Sequence, residues 1–543
     1  MKPIDALSTH YSDLLDGTYD CIDRIVLNAY CPMLLTPGGV RNWYRQMEGS
    51  DQGLSDARLI RYAVRFSRKV QAFCKKKAIP FVYFQAGERK HEEAEKLLPQ
   101  DNSFTGIFAI FCSRDPSLLW EVKQFPSGSI DIRRKEKTSL LNHYYFHIMD
   151  KRWGHLCIRM CAHPPFSCNV ILNGHEWVER HPDFKHTQAT KEGNCFTSYH
   201  QGEKLTRIAD TLKHKGQFGQ VCQKWIYRCL WFAIDKDEQR RSGFEYKYSI
   251  YQIEYSRNLL FKRGRQMDVV YQNIIDLTRS PLDIKRVKTI FRKSRRGFKH
   301  KYTSSAPEVC IETPQYNLTI FKIHFGRLTV KLYDKGERTL RAEVVVHNTK
   351  DLKCHRSLES FAEVTNRLEE IMGNFLNNLN YAHVAMIDDA TFVNLSKPTQ
   401  TGKNRLAGVN FNQQRTIRIA ESLLSLAMIP GGFTSRDLSI SLQSSGYPHL
   451  YSCRNASYDL KKFRGKQIVS RINGSIRYQV TSRGIKLLCA ILCILQREAP
   501  ALITLLNSEI VRDKELFEME KLLFAARENI EKVSELFGVK LAA

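Results

Sequence analysis

The sequence lacks any apolar run long enough to cross a bilayer. Its most apolar stretch, 484–495, reads GIKLLCAILCIL, well short of the ~20 residues a membrane helix needs. The opening MKPIDALSTHYSDLLDGTYD has no apolar core of signal-peptide length and carries scattered acids. A cytoplasmic protein with no membrane partner is therefore expected. Internal repeats and low-complexity segments are missing, which excludes solenoids and long disordered tracts. There is no Walker A loop, no dinucleotide fingerprint and no G-x-S-x-G, so common nucleotide and acyl-transfer chemistries have no foothold. The 15 cysteines are an odd number in a long chain, and reduced thiols are expected rather than a disulfide framework. Acids are in short supply: 56 Asp+Glu stand against 83 Lys+Arg, a net charge of +27 over 543 residues. So much uncompensated charge points to a polyanionic partner. Hydrophobic residues still make up 43%, enough to bury a core and exclude a disordered chain.

What is present reads as alternating strands and helices over the first ~350 residues, a mixed α/β pattern. Strands are expected at 22–29, 79–84 and 105–112. A three-strand meander is expected at 143–150, 155–160 and 168–172, with Asn173-Gly174 closing its last strand. Further strands fall at 246–255, 317–322, 328–333 and 340–347. Helices are expected at 54–77, with Ser55 as N-cap and Asp56 in the first turn, and at 88–98, 205–213, 217–234 and 357–379. Residues 396–414 are polar and read as a linker. The expected fold class is α+β multidomain: a mixed α/β core, a helical linker and a C-terminal winged helix. The expected divisions are an N-terminal α/β domain (1–130), a β-rich core (131–355), helix and linker (356–414), a compact module (415–496) and a helical tail (497–543).

The module carries the most specific pattern. A helix at 415–429 precedes a second, short helix capped by Thr434 or Ser435. A third helix, 455–465, reads NASYDLKKFRG, and strands at 468–472 and 476–481 flank an Asn473-Gly474-Ser475 turn. A last helix starts at Ser482. This order, with DLKKFRGKQIVSRINGSIRYQVTSRG, resembles a winged helix-turn-helix domain over 415–495. The resemblance implies duplex binding, with the third helix in a major groove and the wing on the backbone. Arg454, Lys461, Lys462, Arg464, Lys466, Arg471 and Arg477 lie on those elements and suit phosphate neutralisation with counterion release. The competing reading of such a module is dimerisation or protein docking.

Two further basic faces stand out. Arg58, Arg61, Arg65, Arg68 and Lys69 recur at helical spacing, with Leu54, Ala57, Ile60, Val64 and Val70 assigned to the buried side. Segment 284–302, IKRVKTIFRKSRRGFKHKY, contains no acid. Its Lys285, Arg286, Lys288, Arg292, Lys293, Arg295 and Arg296 interleave with Phe291, Phe298 and Tyr302, which suits a nucleic-acid backbone with exposed bases. Solvated basic faces are the alternative.

The clearest place for catalysis is the hairpin RLTVKLYDKGERTLRAEVVVH. Strand alternation puts Lys331, Tyr333, Arg341 and Glu343 on one polar face if like pairs with like, with Asp334 at its edge. Y-D-K-G followed by L-R-x-E resembles plasmid and phage rolling-circle replication initiators. The resemblance implies Tyr333 as nucleophile and Asp334 and Glu343 as metal ligands, with Lys331 beside them, although no His-hydrophobe-His pair is present. Asp23, Asp150, Glu176 and Glu254 sit at or near the ends of apolar strands, where carboxylates converge on Mg²⁺ for phosphodiester cleavage. Caps and salt bridges are the alternative for each. Cys157, Cys161, His163 and Cys168 are spaced C-x3-C-x-H-x4-C, not the C-x2-C of zinc knuckles, and no zinc is expected. His143 and His147 share a strand face and either flank a site or pack.

The expectation is a nucleic-acid-binding protein of mobile-element or replication type, cutting or transferring DNA strands with Mg²⁺. A non-catalytic DNA-binding regulator and a structured-RNA-binding protein are the alternatives. The amphipathic tail at 508–539 offers a homodimer contact or packs back on the module. The order D-R-I, H-Y-Y-F-H-x-x-D, N-G-H-E-W, Y-D-K with R-x-E, then a winged helix, is also similar to a set of large bacterial proteins without an assigned activity. That likeness brings no chemistry with it.

Overall fold

The computed structural model describes residues 5–279, 308–383, 394–493, 495 and 525, apart from 86–87, 89, 102, 118, 128, 316–317, 326–327, 353, 402–403, 428, 430 and 445–450. The helices are α1 (Ala6–His10), α2 (Pro37–Glu48), α3 (Asp56–Lys77), α4 (Lys90–Lys96), α5 (Gly174–Glu179), α6 (Gly202–Asp210), α7 (Leu212–Lys215), α8 (Phe218–Leu230), α9 (Lys236–Ser242), α10 (Gly264–Arg279), α11 (Phe361–His383), α12 (Gln414–Leu426), α13 (Ser435–Ser444), α14 (Cys453–Gly465) and α15 (Ser482–Cys493). Strands β1 (Leu15–Tyr30), β2 (Phe81–Phe84), β3 (Gly106–Ser117), β4 (Trp120–Gln124), β5 (Ile130–Arg134), β6 (Ser139–Asp150), β7 (Gly154–Cys161), β8 (Cys168–Leu172), β9 (Thr190–Glu192), β10 (Cys195–Ser198) and β11 (Lys247–Phe261) precede β12 (Glu308–Gln315), β13 (Leu318–Phe325), β14 (Leu328–Asp334) and β15 (Thr339–Val346). Four short strands follow: β16 (Thr399–Thr401), β17 (Asn404–Leu406), β18 (Val469–Arg471) and β19 (Tyr478–Val480). No helix among the described residues is long and apolar enough to cross a membrane.

The chain divides into two compact units, one of Ser12–Asp268 and Ile311–Met372, the other of Met1–Tyr11, Val269–Cys310 and Gly373–Ala543. The first is built on an eleven-stranded mixed sheet, ordered β12-β13-β14-β15-β11-β1-β8-β7-β6-β3-β2. Only the β2–β3 pair is parallel among the registers from β13 to β2. The expected meander is β6–β7–β8. The expected division after residue 130 falls inside β5, and β3 and β6 pair across it. A sheet that needs strands from both sides of that point leaves no separate core for 1–130.

α3 starts where its sequence requires. The Ser55 side chain accepts from the Arg58 amide and Asp56 occupies the first turn. Its buried side is Leu59, Tyr62, Phe66, Val70 and Cys74, which corrects the expected face: Ala57 is exposed, and Ile60 and Val64 are 51% and 42% exposed. The aromatic pair decides the face, because Tyr62 and Phe66 remove far more apolar area from water than Ala57 and Val64. Phe66 meets Tyr144 at 4.8 Å and Phe232 at 6.0 Å between ring centroids.

In the second unit, α12, α13, α14 and α15 enclose an apolar core that includes Leu423, Leu438, Leu460, Phe463, Leu488 and Ile491. The β18–β19 hairpin pairs Val469 with Val480 and Arg471 with Tyr478. Gly474, at φ +69°, turns it. Phe433 exchanges backbone hydrogen bonds with Tyr478, adding a third extended segment to the hairpin. The stretch read as linker holds its own hairpin, β16–β17.

Candidate functional site on the sheet face

Four neighbouring strands, β14, β15, β11 and β1, bring polar residues from distant parts of the sequence into lateral rows. Their registers align Tyr333, Arg341, Asn258 and Tyr19 in one row. The next row is Lys331, Glu343, Ser256 and Cys21, and the third is Thr329, Val345, Glu254 and Arg24. The β1–β11 register shifts between Ile22 and Arg24, so Asp23 is an extra residue between the second and third rows. Such a bulge re-aims a side chain. Here it delivers Asp23 to the polar face. Asp20, on the opposite face, is separately held by Arg257 and by Tyr255, whose hydroxyl donates at 2.8 Å.

Asp23 is the hub. The Arg341 guanidinium donates to its Oδ2 at 2.9 Å, and Ser256 Oγ donates to its Oδ1 at 2.7 Å. Arg341 is 0% exposed and also donates to Asn258 Oδ1 and to the Asn194 carbonyl, both at 2.6 Å. Burial raises the Asp23 carboxyl, while Arg341 pulls it down. His175 Nδ1 stands 3.3 Å from Asp23 Oδ1. α5 reaches this position because it begins with glycine: a Cβ on Gly174 would lie 2.0 Å from the Ile22 carbonyl oxygen. Asn173 follows β8 and caps α5, its side chain accepting from the His175 amide. Burial, then Arg341, lowers His175 well below the ordinary histidine range.

At the second row, Glu343 accepts from Tyr333 at 3.2 Å and from Lys331 at 3.3 Å. Burial first, and Glu343 next, raise the Tyr333 hydroxyl well above its ordinary value. Burial and then Glu343 also raise Glu254. Lys335 is lowered by burial and by Arg341. The β9–β10 connection covers the first row through Asn194 and Cys195, whereas Arg24 in the third row is exposed.

The structure therefore brings together Tyr333, Lys331, Glu343, Asp23 and Glu254. It sends the other expected residues elsewhere. Asp334 accepts from the Gly336 amide in the hairpin turn. Asp150 caps the β6–β7 turn through the Arg152 and Trp153 amides and binds Lys224 and Trp225. Glu176 accepts from the His155 amide and pairs with Lys191. Among the described residues, one His/Cys/Asp/Glu group places a ligand atom of each member within 4.8 Å of the others: Cys21, Asp23 and His175. Cys157, Cys161, His163 and Cys168 are buried outside that group. Sequence reading had no signal for Cys21 or His175, whose meeting depends on the bulge and on Gly174.

The basic residues sort by what they already hold. Arg65 pairs with both Glu238 oxygens, at 2.7 and 2.9 Å, and Lys69 stands 4.7 Å from the Trp231 ring centroid. Arg58, Arg61 and Arg68 are exposed. Lys285, Arg286, Lys288, Arg292, Lys293, Arg295 and Arg296, and the tail 508–539, lie outside the described residues, Ala525 aside. On the module, Lys462 faces Asp459 at 3.7 Å. Lys466, Arg471 and Arg477 donate to the carbonyls of Asn394, Ser475 and Gly432. Arg454 and Lys461 are exposed and Arg464 is half-buried. Asp459 is turned inward, accepting from Arg415 at 2.6 Å and Tyr451 at 2.8 Å.

Comparison of the chain with protein families, curated proteins and solved structures finds no match.

Proposed function

We propose that this chain binds duplex nucleic acid, DNA foremost, through a winged-helix module formed by α12–α15 and the β18–β19 hairpin. The outward face of α14 carries the reading. Arg454, Lys461 and Arg464 share that face with half-exposed Tyr458, opposite buried Ala456, Leu460 and Phe463. The helix spends its one acid inward on Arg415 and Tyr451, so the outer cations are left to an external anion. A helix of this kind fits the major groove of B-form DNA, whereas the deep, narrow groove of A-form RNA excludes it.

Anisotropy of a labelled duplex titrated across salt tests this. Arg454→Ala and Lys461→Ala should each weaken binding and reduce the slope of log K against log salt by about 1. Arg477→Ala, whose guanidinium is already held by Gly432, should change the slope less. A slope unmoved by the Arg454→Ala/Lys461→Ala pair refutes the reading.

A second reading, DNA strand cleavage at the sheet face, is favoured by the Tyr333–Glu343 hydrogen bond, with Glu254 close enough to Glu343 to be raised by it. Tyr333 would attack phosphorus while Glu343 takes its proton; the P–O bond to the deoxyribose would break, that oxygen leaving as a hydroxyl with a proton from water, and the glutamates would hold Mg²⁺ to polarise the phosphate. Incubating labelled single- and double-stranded DNA with Mg²⁺ or EDTA decides it. Metal-dependent cleavage lost in Tyr333→Phe and Glu343→Ala supports it. Tight binding without cleavage leaves a non-catalytic regulator.

A further inference from the structure

We propose that Cys21, Asp23 and His175 form a binding site for one Zn²⁺ ion beneath the β1 bulge. Tyr19 has one hydroxyl proton and three polar neighbours. Its oxygen accepts from the Phe196 amide at 2.9 Å, and its proton reaches Cys195 Sγ at 3.7 Å. The third neighbour, His175 Nε2 at 3.2 Å, can donate to that same oxygen. With the proton on Nε2, His175 Nδ1 is a bare lone pair.

Nδ1 makes no hydrogen bond, although the ring is 0% exposed. It faces Asp23 Oδ1 at 3.3 Å, an oxygen whose other neighbour, Ser256, already donates to it. Two acceptors that face each other in a dry interior repel unless a cation lies between them. The distance itself fits such a cation. With Zn–N and Zn–O bonds of about 2.0–2.2 Å, a tetrahedral edge is about 3.3 Å long.

The third donor separates a metal from a shared proton. Cys21 Sγ lies within 4.8 Å of both partners and has only a weak contact, 3.7 Å, with its neighbour's carbonyl. A tetrahedral S–N edge on zinc is about 3.6 Å, so the thiol must close by about 1.2 Å at most. One thiolate, one imidazole and one carboxylate suit Zn²⁺ and disfavour Mg²⁺ or Ca²⁺, which take oxygen ligands. The outer contacts are also those of a metal site. Arg341 and Ser256 fix the Asp23 carboxylate, and Tyr19 fixes the imidazole. Binding replaces the Cys21 thiol proton, which leaves to solvent. The site is independent of the nucleic-acid reading.

The test uses the full-length, tag-free chain, grown with zinc and dialysed, with metal counted by mass spectrometry. About one Zn²⁺ per chain is expected in the wild type and in Cys222→Ser, a buried thiol elsewhere, and its loss in Cys21→Ser and His175→Ala. Loaded with Co²⁺, the wild type should show a thiolate-to-cobalt charge-transfer band that Cys21→Ser lacks. Wild-type protein that keeps no zinc overturns the proposal and leaves a shared proton between His175 and Asp23. A band that survives Cys21→Ser overturns it too. Where a variant does not fold, the wild type decides: stripping the zinc must lower its Tm, and an unchanged Tm refutes the site.

Discussion

Arg341 ends with all its polar contacts inside the protein, to Asp23, Asn258 and the Asn194 carbonyl. Removing the guanidinium strands a buried carboxylate, which costs about 3–5 kcal/mol. Arg341→Met should lose about that much in urea unfolding, and Arg341→Met/Asp23→Asn should recover part of it. A different pair adds to the acid sensitivity of the fold. His147 Nδ1 and His155 Nε2 lie 3.0 Å apart among Phe108 and Phe111. Burial, then His155, lowers His147 to about 3, and burial lowers His155 to about 4. Unfolded histidine titrates near 6.5. Below about pH 6.5 the unfolded chain takes protons the native pair refuses, so stability falls as pH drops from about 6.5 toward 4. His147→Phe should shallow that fall, reducing the Tm loss between pH 7 and pH 5 by a few degrees. An acid limb as steep as the wild type's would place the sensitivity elsewhere.

At the scale of elements, α3 shows what a sequence does and does not disclose. Its start was legible because Ser55 and Asp56 are local signals that act within one turn. Its buried face was not, because aliphatic residues at 57, 60 and 64 compete with the aromatics at 62 and 66. Phe66→Ala should cost about 3–5 kcal/mol, whereas Ile60→Ala should stay within about 0.5 kcal/mol. Equal losses would restore the face first assigned. The cations of α14 and the hairpin were legible as a set, but not which of them point outward: Lys462, Lys466, Arg471 and Arg477 hold protein groups, whereas Arg454 and Lys461 are exposed. The β1 bulge left no trace in its own residues, since a register shift is defined only against β11.

For the whole molecule, alternating strands and helices announced a mixed α/β core, but not one sheet of eleven strands. Hairpin neighbours such as β14 and β15 could be paired from sequence, so Lys331, Tyr333 and Glu343 were found together. The β1–β11 and β11–β15 pairings could not, and they bring Asp23 to Arg341 and Ser256. Those pairings also set the order in which the chain can assemble. Asp20 and Tyr255, partners across β1 and β11, are 235 positions apart. A ribosome adding about 5–20 residues per second leaves β1 without that partner for on the order of 10–50 s. Through that interval the strand is an open template for mispairing. Biosynthesis of this chain thus has a vulnerable stage that opens when β1 is made and closes only when β11 follows it.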